Sequence, residues 1–277
     1  MSKNVQSIAR TDPGRIRTQN EDTFSIDDEL NLYIVSDGMG GMQGGEIASA
    51  IVVRGLPLEV AARINSEGIH ETRQAAEILV AAIDAISSQL LTQSNRVERL
   101  RGMGATVVAC LIYNDTAIIA HMGDSRAYLL RKNVLEQMTE DHTLVATLLK
   151  LKQISKKEAR IHPGRHVVSR YVGMEAEVGP DVGLIRLKEG ELILLCTDGL
   201  TNMISDKSIG QILYDEPSIE SSCDRLIQTA NNAGGKDNIT AMIIKYGETL
   251  CSKKADTKVS VRRTIGHSVE RVTLYTE

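Results

Sequence analysis

Asp37-Gly38 closes the apolar run Leu32-Tyr33-Ile34-Val35, and Asp198-Gly199 closes the run Leu192-Ile193-Leu194-Leu195-Cys196. Each pair sets an acid where a buried strand would end. Taken singly, an Asp-Gly pair is only a turn signal, but the context recurs. Asp124 in Gly123-Asp124-Ser125-Arg126 terminates another apolar run, Asp237-Asn238 immediately precedes Ile239 to Ile244, and Asn20-Glu21-Asp22 precedes Thr23 to Ile26. Turns alone do not explain so many acidic strand edges. If Glu21, Asp22, Asp37, Asp124, Asp198 and Asp237 converge, their repulsion in a low-dielectric cleft is severe unless cations neutralise it. Metal is the economical answer. No His or Cys accompanies these acids at ligand spacing, and an all-oxygen shell favours Mg²⁺ or Mn²⁺ over Zn²⁺. The chain has no D-x-[DN]-x-[DN]-G loop, which disfavours Ca²⁺.

Strand-length runs dominate the pattern: Val5 to Ile8, Thr23 to Ile26, Leu32 to Val35, Thr106 to Ile112, Ala117 to His121, Ala127 to Leu130, Leu184 to Leu187, Leu192 to Cys196 and Ile239 to Ile244. Helical spacing replaces them from Glu46 to about Arg63 and from Thr72 to about Ser94, where Ala75, Ile78, Leu79, Ala82, Ile83, Ile86, Leu90 and Leu91 recur at three and four. Pro57 removes a backbone donor, so the first helix is expected to kink or to end a turn early. A second pair is expected over Ser205 to Tyr214 and Pro217 to Ala230. Strands and helices are thus grouped rather than alternating, which argues for α+β layers. Residues 139–180 combine a helix-like stretch, Thr143 to Lys152, with polar and turn residues, and read as a mobile flap.

The segment Asp37-Gly38-Met39-Gly40-Gly41-Met42-Gln43-Gly44-Gly45-Glu46 invites a nucleotide-binding reading and fails it. The dinucleotide fingerprint wants glycine where Gln43 stands, and a P-loop wants Lys where Glu46 follows Gly45. The glycines then signal close backbone approach, and a Gly38 carbonyl beside Asp37 would serve as a metal ligand.

A net charge of −4 supplies no field for a polyanion, and 3% aromatic residues with no Trp leave few stacking platforms, so nucleic acid is not an expected partner. The apolar runs fall far short of the roughly 20 residues of a membrane span. The first residues lack a signal-peptide core, so the cytoplasm is the expected location and no membrane partner is implied. Cys110, Cys196, Cys223 and Cys251 show no CxxC spacing.

The ordered set Arg17-Thr18-Gln19-Asn20-Glu21-Asp22, Ser36-Asp37-Gly38-Met39-Gly40-Gly41, Gly102-Met103-Gly104-Ala105-Thr106, Gly123-Asp124-Ser125-Arg126, Thr197-Asp198-Gly199-Leu200 and Asp237-Asn238-Ile239-Thr240 resembles the metal-dependent PP2C-type protein serine/threonine phosphatases, their bacterial branch most. The likeness spans about Val5 to Tyr246. It implies an α+β fold, a four-layer α/β/β/α sandwich with a flap, over residues 1–246, and a two-metal cleft at one end. Asp37 would bridge both ions, Gly38 would lend a carbonyl, Asp198 and Asp237 would hold one ion, and Glu21 the other, largely through water. Asp22 would orient the nucleophile, and Arg17 would grip the substrate phosphate with its guanidinium fork. The reaction implied is in-line attack of a metal-bridging hydroxide on phosphoserine or phosphothreonine, with no covalent enzyme intermediate. Animal members carry His where this chain has Met39, so water on a metal is the expected proton donor to the leaving group.

Asp124 is open between a weaker third metal site shared with Asp198 and a turn cap with Ser125 and Arg126. His142, His162 and His166 are expected to be solvated or structural. Residues 247–277 lie beyond the resemblance and read either as a polar extension or as a β-hairpin of Lys258 to Val261 with Val269 to Tyr275, turned at Gly266-His267. By resemblance the partners are phosphorylated Ser/Thr proteins and a cognate Ser/Thr protein kinase, and the chain is expected to act as a monomer. Two rivals are a catalytically weak phosphatase-fold binding module and an unrelated nucleotide-binding α/β protein. The intact acid set with Arg17 disfavours the first and the failed glycine fingerprints disfavour the second.

Overall fold

Strands that read as unbroken apolar runs are buried on both faces, and that fact sets the architecture. In the computed structural model, which describes residues 5–40, 44–175, 178–247, 260–263 and 270–271, β3 (Leu32–Met39) and β5 (Val107–Tyr113) lie side by side. Leu32, Ile34, Val107, Ala109 and Leu111 enter one core, while Tyr33, Val35, Val108, Cys110 and Ile112 enter another. The period-two alternation of a strand splits each run between two apolar layers. A third core takes Ile239, Ala241 and Ile243 of β11 (Ile239–Tyr246), whose Met242, Ile244 and Tyr246 join the second.

Three cores need four layers. One sheet runs β1 (Val5–Asp12), β11, β10 (Leu192–Cys196), β7 (Arg126–Arg131), β8 (Val134–Gln137), β12 (Ser260–Arg263). The other runs β13 (Glu270–Arg271), β9 (Asp181–Arg186), β6 (Thr116–Met122), β5, β3, β2 (Asp22–Asp27), with β4 (Gly104–Ala105) also paired to β3. Helices α1 (Gly44–Glu67) and α2 (Thr72–Arg96) cover the second sheet through Leu56, Val60, Leu79, Ile83 and Leu90. Helices α6 (Asp206–Asp215) and α7 (Ile219–Asn232) cover the first through Ile209, Leu213, Cys223 and Leu226. The expected α/β/β/α sandwich is the fold observed.

Pro57 does not end its helix. α1 continues to Glu67, because Val53, Leu56 and Val60 are buried on either side of the proline and hold the turns against the sheet without its missing donor. Ser205 and Ser218 cap α6 and α7 by accepting the N–H of Ser208 and Ser221, so both helices start where hydroxyls interrupt the apolar pattern. By length and composition α2 passes as a membrane span, yet Ala75, Ile78, Leu79, Ala82, Ile83, Ile86 and Leu90 are its buried face in the first core.

The stretch expected as a flap folds as α3 (Leu144–Lys150), none of whose residues is fully buried, and α4 (Lys156–Ile161). The bridge from Ala105 to Val172 ties it to the body, and the bridge from Thr143 to Val168 closes it on itself. Most of the hairpin expected of 258–261 with 269–275 lies outside the described residues. Its described parts pair elsewhere: β12 adds parallel to β8 at the edge of one sheet, and β13 adds antiparallel to β9 at the edge of the other.

Candidate active site

Asp124 lies between β6 and β7, and the other acids occupy four strand ends, two from each sheet. Antiparallel β2 and β3 place Asp22 opposite Asp37, and Gly38 N–H donates to the Glu21 carbonyl at 3.2 Å. In the other sheet β10 ends just before Asp198 and β11 begins just after Asp237. Cys196 pairs with Ala241, so both acids lie at the same edge. Asp22 joins the two sheets: its Oδ2 accepts the hydroxyls of Thr197 at 2.8 Å and Thr240 at 2.7 Å, while its Oδ1 is buried with no partner among the described residues. Asp37 is fixed through its backbone, with its N–H donated to Thr106 Oγ1 at 2.9 Å.

Two glycines are steric necessities here. A Cβ on Gly38 would sit 1.9 Å from the Gly45 carbonyl oxygen and 2.9 Å from that of Glu21. One on Gly199 would sit 1.9 Å from the carbonyl oxygen of Asn238. Backbone thus approaches backbone directly beside Asp37 and Asp198, and side chains are excluded where carbonyls crowd the cleft.

Electrostatics mark the same place. Burial raises Asp37 well above the usual carboxylate range, and Asp22 and Asp198 raise it further. Asp22 is pushed up to about 7 by burial, against the pull of its two threonine hydroxyls. Asp124 is pushed up to about 7 by burial and by Asp198, and Asp198 to about 6 by burial and by Asp237. Glu21 is raised by burial, with Arg17 opposing. This joins Asp124, which the sequence left open, electrostatically to Asp198. A cluster so reluctant to ionise has the donor chemistry of a site for hard divalent cations: all oxygen, with one buried carboxylate oxygen unsatisfied and a glycine carbonyl cradle.

Arg17 stands at the rim, half-exposed. Its Nη2 donates to Asp237 Oδ2 at 3.0 Å and its Nε lies 3.0 Å from Oδ1 in an ion pair, so the fork expected to hold phosphate is engaged by an acid of the cluster. Asn238 organises this rim: its Nδ2 donates to the carbonyls of Pro13 at 3.0 Å and Gln19 at 2.8 Å, and its Oδ1 accepts Glu21 N–H at 2.9 Å. Sequence reasoning gave no role to Asn238, Thr197, Thr240 or Thr106. The available signal was adjacency for Asn238, which follows Asp237, and Thr197, which precedes Asp198; Thr240 and Thr106 carry no such neighbour.

His121, His142 and Asp181 form a separate group of metal-capable side chains. The two rings stack at 4.6 Å with 14° between their planes, so their in-plane lone pairs run side by side and do not meet on one ion. His142 Nδ1 accepts Gly123 N–H at 3.2 Å and His121 Nε2 donates to the Glu140 carbonyl at 2.9 Å, which gives both structural work. Burial and His142 push His121 down to about 4, keeping it neutral.

The family model for protein phosphatase 2C matches residues 15–243. A serine/threonine phosphatase stp of Listeria monocytogenes serotype 4b (strain F2365) is 38% identical over 252 residues, covering 89% of this chain and 98% of that protein. The solved serine/threonine phosphatase of S. agalactiae superposes with a TM-score of 0.80 at 31% identity, covering 88% of this chain and all of that one (100%). The catalytic domain of the serine/threonine protein phosphatase PstP, solved with two manganese ions, superposes with a TM-score of 0.75 at 33% identity, covering 88% of this chain and 99% of that one. A match over that span has one meaning: the chain belongs to the protein phosphatase 2C family.

Proposed function

We propose that this chain hydrolyses phosphoserine and phosphothreonine in proteins with two divalent ions, Mn²⁺ or Mg²⁺, in the cleft at the strand ends. The observation that carries the reading is the convergence of Glu21, Asp22, Asp37, Asp124, Asp198 and Asp237, in which burial and neighbouring carboxylates hold Asp22, Asp37, Asp124 and Asp198 reluctant to ionise without cations. The manganese-bound PstP domain, of the same family, supports the choice of metal. Asp37 would be shared by the two ions, the Gly38 carbonyl and Glu21 would serve one, Asp198 and Asp237 the other, and Asp124 would join Asp198 in holding a weaker third. When bound, the ions supply positive charge and a water reactive at neutral pH.

The protein's own groups do the rest. Asp22 keeps one oxygen open to orient the attacking water and take up its proton. Arg17, whose two donors already span a carboxylate, offers the same fork to a phosphate presented beside Asp237, neutralising charge on the non-transferred oxygens. Met39 contributes no proton to the leaving oxygen. The catalytic machinery belongs to residues 1–246, with 139–180 as the flap, and 247–277 form an extension outside it. The substrates are targets of a Ser/Thr protein kinase acting as the opposing partner, and the enzyme works as a cytoplasmic monomer.

Hydrolysis of p-nitrophenyl phosphate and of phosphoserine and phosphothreonine peptides, abolished by EDTA and restored by Mn²⁺, is the expected result. Metal-independent or absent turnover would instead favour a binding module on a phosphatase fold.

A further inference from the structure

The carboxylate of Asp22 is wired asymmetrically. Oδ2 accepts two hydroxyls, from Thr197 and Thr240, and Oδ1 none among the described residues. An ionised carboxylate only accepts, so both threonine protons point at Oδ2. Thr197 Oγ1 accepts Thr240 N–H at 3.0 Å. Thr240 Oγ1 lies 2.8 Å from Thr11 Oγ1, and with its own proton committed to Asp22 it accepts there, so Thr11 donates. Thr11 accepts Asn20 Nδ2 at 2.8 Å, and Asn20 Oδ1 accepts Asp22 N–H at 3.1 Å. The ring starts and ends on Asp22, and chemistry fixes the direction of every proton in it.

We propose that Thr197 and Thr240 are positioning residues for Asp22, holding its carboxyl plane in one orientation so that Oδ1 is the only oxygen left to the attacking water. This rests on the phosphatase reading, in which Asp22 orients that water. A carboxylate free to turn would present either oxygen over a range of angles, whereas an in-line nucleophile must be held within about 0.5 Å and 10–20°. Two donors on one oxygen remove that freedom. Threonine suits the task because its branched Cβ stiffens χ1.

The test uses the full-length chain with Mn²⁺ and p-nitrophenyl phosphate. Thr197→Val and Thr240→Val each lower kcat about tenfold or more with KM within about twofold, because a charged group loses a donor. Thr197→Ser and Thr240→Ser return kcat to within about threefold of wild type, and Mn²⁺ affinity by calorimetry stays within about threefold in all four. Valine leaves Asp22 short of a donor in the interior and threatens folding, so Thr11→Val, at the exposed side of the ring, is the safer arm. It lowers kcat about two- to fivefold at unchanged KM and melting temperature. Wild-type kcat in Thr11→Val, or in the folded valine variants, overturns the proposal. Equal losses in valine and serine variants do so too, as does a fall in Mn²⁺ affinity that accounts for the fall in kcat. Failure of the phosphatase reading is distinct, since wild-type protein would then show no Mn²⁺-dependent turnover before any substitution.

Discussion

Gly38→Ala adds one methyl group at the most crowded point of the cleft. The new Cβ would lie 1.9 Å from the Gly45 carbonyl oxygen, and contacts below 3.0 Å are essentially never formed, so the start of α1 and the end of β3 must part by about 1.1 Å. Glu21 follows, because Gly38 N–H donates to its carbonyl and Ser49 on α1 donates to that same oxygen at 2.6 Å. A functional site tolerates about 0.5 Å of displacement, so the shift is twice what ion binding withstands. Overpacking of this kind costs about 1–3 kcal/mol, a fall of about 3–10 °C in melting temperature for a domain of this size. The protein therefore stays folded while Mn²⁺ affinity falls about tenfold or more and kcat/KM about 100-fold or more. Calorimetric titration with Mn²⁺, a melting curve and p-nitrophenyl phosphate kinetics read all three, with Gly179→Ala as control, since its Cβ meets nothing closer than Asp84 at 3.4 Å. A Gly38→Ala protein that binds Mn²⁺ and turns over like wild type would refute the reasoning.

Asp37→Asn and Asp198→Asn are each expected to leave a folded protein with hydrolysis reduced about 100-fold or more, because a charge that holds the ions is gone; wild-type-like turnover in either sinks the metal assignment. Arg17→Ala raises KM for a phosphopeptide more than it weakens Mn²⁺ binding, and an unchanged KM returns Arg17 to a purely structural pairing with Asp237. Asp22 and Asp124, raised to about 7, and Asp198, raised to about 6, bind protons more tightly folded than unfolded. Their stabilising contribution is whole below about 3.9, the unfolded value, and is lost as pH climbs through about 6 to 7. With chelator present the melting temperature should fall from pH 5 to pH 8, and Mn²⁺ should raise it more at pH 8; a flat profile contradicts the clustering. A chain ending at Tyr246 keeps Mn²⁺-dependent hydrolysis within a few fold, because β12 and β13 add only to sheet edges, and loss of rate together with melting temperature would place them in the core.

The layers were legible because strand and helix periods are local. The runs ending at Val35 and Cys196 announced strands, and their acids announced a cleft. Continuous apolar strands did not reveal which residue faces which core, since Tyr33 and Ile34 look alike in sequence and enter different layers. Pro57 misled because propensity is weak where Leu56 and Val60 are buried. The threonines escaped notice because their meaning lies in a partner far away: Thr240 and Asp22 are 218 positions apart. Arg17 read as free for phosphate because its carboxylate, Asp237, lies 220 positions on. For Ser260–Arg263 and Glu270–Arg271 pairing is decided by the open edges of β8 and β9, which no local pattern encodes.

The pairing of β1 with β11, Val5 against Tyr246, bears on how such a protein is made. Synthesis delivers Glu21, Asp22, Asp37, Asp124 and Asp198 early, and all of them must wait. Until Ile239–Tyr246 emerges, β1 has no neighbour and β10 lacks one of its two, and Thr240 cannot reach Asp22. Such non-local pairing forms slowly and last. A translation product that stops before β11 therefore carries most of the acids of a hydrolase without the strand that seats them, so activity waits on the emergence of β11.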